Sequence, residues 1–93
     1  MEDQPAKTTL PENLTITNVE AVYGQLEELC QANRDIVLDG ANVSRVDTAG
    51  LQVICALAAE LKKSSLTLSW SNPSAELKET ALILGMSELL LLK

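Results

Sequence analysis

The chain contains no histidine and no phenylalanine, and its aromatics are Tyr23 and Trp70 alone. Without an imidazole, a hydroxyl nucleophile lacks its usual general base. The only thiols, Cys30 and Cys55, do not complete a zinc site without histidine. No metal and no cofactor is expected. With aromatics scarce, the core must come from Leu, Val, Ile and Ala. Cations are also few: 7 Lys and Arg against 13 Asp and Glu give a formal charge of -6. That balance argues against a nucleic-acid partner, which demands a basic surface. It argues equally against docking on anionic lipid, and a basic protein patch suits the chain better. No apolar run approaches the roughly 20 residues that span a bilayer, so direct membrane insertion is not expected. Met1-Glu2-Asp3-Gln4-Pro5 is acidic, unlike the basic start of a secretory leader. A soluble cytoplasmic protein is expected, with both cysteines acting as small buried hydrophobes.

What is present suits one small domain. Ninety-three residues, 46% of them hydrophobic, bury a single modest core. Residues 1–6 read as a flexible N-terminal arm and 7–93 as a single domain. Thr8-Thr9-Leu10 and Leu14-Thr15-Ile16 are candidate short strands around a Pro11-Glu12-Asn13 turn. Thr17 and Glu20 have the spacing of a capping box. Val19, Val22, Tyr23, Leu26, Leu29 and Cys30 then recur on one helical face. Ile36-Val37-Leu38 has no polar alternation, as a strand covered on both faces would. A second helix is expected from about Thr48, with Leu51, Ile54, Cys55, Ala58 and Leu61 inward and Lys62 and Lys63 at its negative end. Leu66 to Trp70 alternates as a strand. A third helix carries Leu77, Ala81 and Leu84, with Gly85 as its C′ residue. Leu89 to Leu92 reads as a last short strand. Strands alternating with helices imply an α/β fold with a mixed sheet and covering helices.

The chemistry concentrates in Val46-Asp47-Thr48-Ala49-Gly50-Leu51. A carboxylate and a hydroxyl at a helix start are first of all N-cap candidates. A helix N-terminus also tolerates phosphate, because its N–H groups are free and its dipole is positive. A phosphate on Thr48 would meet Asp47, and Asp39 is a further neighbouring charge. Such a change would act on a partner surface with little change of fold. Gly50 falls in the first helical turn, where it costs about 1 kcal/mol relative to alanine. Either a partner approaches there or a neighbouring strand packs tightly; the residues alone leave both open. No phosphate loop and no G-x-G-x-x-G run is present, and no enzyme is expected.

Ile36-Val37-Leu38-Asp39, then Val46-Asp47-Thr48-Ala49-Gly50-Leu51, an amphipathic helix, a strand, a third helix and Leu84-Gly85 together resemble the STAS domain. That family includes anti-sigma factor antagonists and the cytoplasmic tails of sulfate transporters. The resemblance covers about residues 7–92. It implies a mixed central β-sheet with helices packed mainly on one side. It further implies that Thr48 is phosphorylated by a partner kinase, such as a kinase-like anti-sigma factor, and that phosphorylation releases the partner. Asp47, Thr48 and Gly50 carry the motif, with Leu51 beside them and Asp39 a weaker match at the same partner-binding surface. The chain departs from the switch members in having Thr in place of Ser, and in its short first strands. Both features resemble other small bacterial members. One group binds the ATPase of a lipid-transport ABC complex, and another sits among chemotaxis signalling proteins. The Asp-Thr-Ala-Gly-Leu-Gln run and the Trp before a Pro-Ser turn look closest to the chemotaxis group. The expected protein is a non-enzymatic signal-transduction module, with a constitutive ABC-complex subunit as the alternative.

Overall fold

The computed structural model describes residues 5–92. Five strands and three helices follow one another as β1 (Ala6–Thr9), β2 (Asn13–Leu14), α1 (Val19–Cys30), β3 (Ile36–Asp39), β4 (Arg45–Val46), α2 (Thr48–Lys63), β5 (Leu68–Ser71) and α3 (Ala75–Ile83). The α/β class is the one expected. A three-stranded parallel sheet has the order β1-β3-β5, and β2 pairs with β4 in a second, two-stranded parallel ribbon. Every strand pair among the described residues is parallel, so the antiparallel pairing of a mixed sheet is not seen there. Residues 1–4 of the expected arm lie outside the described residues. Ala6, also assigned to it, opens β1 and is buried.

The strand order explains where the helices sit. Parallel crossovers are right-handed, and an order that never reverses sends each crossover helix to the same face. One face carries the rows Ala6-Ile36-Leu68 and Thr8-Leu38-Trp70. Ala6, Ile36, Leu38 and Leu68 are all buried there, and Gln25 of α1 reaches that face to donate to Thr8 Oγ1 at 2.7 Å. The opposite face carries Lys7, Thr9 and Ser69, which are exposed, beside half-buried Val37, Asp39 and Ser71. Ile36-Val37-Leu38 is therefore central, as expected, but its Val37 face is only half-buried among the described residues.

Several local expectations change. The Thr17–Glu20 capping box does not form. Asn18 is the N-cap of α1, and its side chain is engaged elsewhere, accepting from Thr15 N at 3.0 Å. Tyr23 stands outside the core at 53% exposure, so only Val22 and Leu26 of α1 are buried. Leu84 is exposed too, leaving Leu77 and Ala81 to anchor α3. Gly85 does close α3: its φ is 70°, and Met86 N donates to Ala81 O at 2.8 Å. Leu89 to Leu92 is not a strand but a hydrogen-bonded turn. Leu90 N donates to Met86 O at 3.0 Å, and Leu90 O accepts from Trp70 Nε1 at 2.8 Å. Leu90 and Leu92 thereby enter the core that Leu10, Leu14, Leu51, Ile54 and Leu57 also fill. Cys30 and Cys55 are free thiols, half-buried at the core margin. Burial pushes the thiols up from their ordinary pKa; at Cys30, Glu60 and Glu27 add to the effect.

Candidate functional site

The site is built where the β2–β4 ribbon meets α2. Leu14 lies beside Val46, and Asp47 N donates to Leu14 O at 3.2 Å. Asp47 itself stays extended (φ −134°, ψ 178°) and becomes the N-cap of α2. Its side chain is the junction. Oδ1 accepts from Gly50 N at 3.0 Å, and Oδ2 accepts from Ile16 N at 3.0 Å. One carboxylate thus ties the first turn of α2 to the turn that follows β2. The N–H groups of Gly50 and then Ile16 hold the carboxyl below the usual carboxylate range. Slight desolvation opposes them, and Ala49 N–H assists. A carboxylate held ionised in this way is a weak base, so Asp47 is not the group that would activate Thr48 for catalysis.

Thr48 is the first residue of α2 and is exposed. No hydrogen bond engages its hydroxyl among the described residues. Ile16, beyond Asp47, is 64% exposed. β2 ends at Leu14, and a turn closed by Asn18 N to Thr15 O at 3.0 Å leaves Ile16 exposed. Thr15 and Thr17 flank it, their hydroxyls 2.8 Å apart. Leu14-Thr15-Ile16 alternates as a short strand would, but strand form stops at Leu14 and Ile16 lies in the turn. The available signal was the polar cluster Thr15, Thr17, Asn18, which suits a turn better.

The other expected site residues do not join this surface. Gly50 is buried, and a Cβ placed on it would lie 2.0 Å from Leu14 O and 2.5 Å from Leu14 C. Its glycine is needed for packing of α2 on the β2 backbone, which decides between the two possibilities the sequence left open. Leu51 is 0% exposed and is a core residue. Asp39 ends β3, where its Oδ1 accepts from Ala41 N at 3.0 Å. It makes no hydrogen bond to Asp47 or Thr48. The structure therefore joins Asp47 and Thr48, adds Ile16, and turns Gly50 and Leu51 inward.

A family model described as "Mlab, STAS domain" matches residues 1–93, the whole chain. The chain belongs to the STAS domain family. STAS domains are protein-interaction modules and generally non-enzymatic. No curated protein matches this STAS domain. None of its described helices is long and apolar enough to cross a membrane. Its main sheet, of order β1-β3-β5, never reverses direction. The switch-point crevice in which open α/β sheets bind nucleotides therefore does not arise among its described strands.

Proposed function

We propose that this STAS domain is a regulatory binding module of the anti-sigma factor antagonist type, acting in the cytoplasm of a bacterium. It docks a protein partner through the Thr48 end of α2 and releases it when Thr48 is phosphorylated. The partner is a kinase-like anti-sigma factor or a signalling protein of the chemotaxis kind. The observation that carries the reading is Thr48 itself: an exposed, unengaged hydroxyl on the first residue of α2. A phosphate there gains the positive end of the α2 dipole, while the Gly50 N–H stays committed to Asp47. It also stands beside the ionised Asp47, so the local surface becomes strongly negative. Because Thr48 points away from the core, the change acts on the partner contact and spares the fold.

A second reading is supported by Ile16. An exposed aliphatic residue whose N–H is bonded to Asp47 offers contact area that needs no modification. On that reading the domain is a constitutive subunit on the ATPase of a lipid-transport ABC complex, and Thr48 is an interface residue only.

Capture from lysate of the source organism with tagged wild type and Thr48→Glu separates the two, with mass spectrometry for bound proteins and for phosphothreonine. A kinase-like or signalling partner retained by wild type and lost at least about tenfold by Thr48→Glu is the expected result. A transporter ATPase retained by both forms selects the subunit reading. A folded Thr48→Glu variant that keeps a signalling partner at full strength sinks the switch.

A further inference from the structure

Away from Thr48, α1 and α2 lie side by side and leave an open groove of about 460 Å³ between them. Buried Leu26, Leu57 and Leu61 form its floor, with half-buried Val53 and Leu66 beside them. Tyr23, 53% exposed, stands on the α1 wall. Glu27 rises on the same wall and Glu60 on the α2 wall opposite, and no Lys or Arg lines the groove. The raised Cys30 thiol reports the same field, since Glu60 and Glu27 both add to the effect of burial there. Lys63 sits 3.8 Å from Glu60, but both side chains are well exposed, and such a pair is worth little.

The charge pattern of α1 sharpens the point. It carries Glu20, Glu27 and Glu28 and no Lys or Arg, and its last turn has no basic residue. Glu27 and Glu28 thus lie at the negative pole of the helix, an arrangement that disfavours the isolated helix. An external cation relieves it. Apolar grooves between helices accept the apolar face of an amphipathic helix, and a tyrosine at the rim is a frequent anchor.

We infer that the α1–α2 groove docks a basic amphipathic helical segment of a protein partner. Its aliphatic side chains lie on Tyr23, Val53 and Leu66, and its Lys or Arg side chains meet Glu27 and Glu60. This surface is separate from the Thr48 end and does not depend on the reading given there.

The probe is a short labelled peptide of leucine and lysine with leucines at helical spacing, titrated into the full chain. Binding is followed by fluorescence anisotropy and by amide shifts of the isotopically labelled protein. Expected are saturable binding, shifts at Tyr23, Glu27, Ala56 and Glu60, and weakening at high salt. Charge reversal by Glu27→Lys with Glu60→Lys should weaken binding at least about tenfold. Both positions are exposed, and circular dichroism confirms that the variant is folded. Thr48→Glu should leave peptide affinity unchanged. The inference is overturned by absence of saturable binding, by unchanged affinity in the charge-reversal variant, or by shifts centred on the exposed Leu82-Ile83-Leu84 run.

Discussion

Replacing Gly50 with alanine is expected to destabilise the domain by about 1–3 kcal/mol, although alanine is the better helix former. The added methyl would sit 2.0 Å from Leu14 O, 2.5 Å from Leu14 C and 2.9 Å from Leu14 Cγ. Ordinary carbon contacts are about 3.5 Å or more, so α2 and β2 must separate by roughly an ångström or more. The obstacle is backbone and cannot rotate aside. Leu14 O already accepts from Asp47 N at 3.2 Å, so the separation breaks that bond. Overpacking costs about 1–3 kcal/mol, and the lost hydrogen bond about 1 kcal/mol. The gain in helix propensity returns about 1 kcal/mol. The net loss lowers the melting temperature by roughly 5–20 °C in a domain of this size. Gly24 is the internal control. It lies in α1 with nothing within 4 Å of an added Cβ, so Gly24→Ala should stabilise by up to about 1 kcal/mol. Urea unfolding, followed by the fluorescence of Trp70 and by circular dichroism, reads both variants. A Gly50→Ala variant as stable as wild type, or one that gains like Gly24→Ala, would refute the packing argument.

Asp47 has a depressed pKa in the folded state, so its contribution to stability is present above the ordinary carboxylate value of about 4. It is lost as pH falls through the lower, folded-state value. Asp47→Asn should therefore be less stable than wild type at neutral pH, with the difference narrowing in acid. Urea midpoints measured from pH 7 down to pH 2 test this, and a pH-independent difference would count against it. Ser65, just beyond α2, has φ 60°, with Leu66 N donating to Leu61 O at 2.9 Å across it. A left-handed residue with a side chain costs about 1 kcal/mol, so Ser65→Gly should raise the urea midpoint by a matching amount, and a lowered midpoint would contradict it.

Local sequence determined much of this molecule. The lack of histidine and the excess of acid over base bound the chemistry. Helical spacing placed α1 and α2, Asp47 marked the start of α2, and Gly85 its counterpart at the end of α3. These features are legible because period, capping and left-handed turns depend on neighbours in sequence. Burial does not. Ile36-Val37-Leu38 reads as doubly covered, yet Val37 faces the less covered side because the order β1-β3-β5 sends the crossover helices to one face. Tyr23 and Leu84 fall on apolar stripes but are exposed among the described residues. Leu90 is buried because a turn brings its carbonyl to the indole of Trp70, 20 residues away. The site divides in the same way. The motif marked Asp47 and Thr48, whereas the bond from Ile16 N to Asp47 spans 31 residues and has no local signature. Gly50 was equally open to a partner or to packing until β2 was placed beneath it. Which face is covered, and by what, belongs to long-range pairing, and only the tertiary structure decided it.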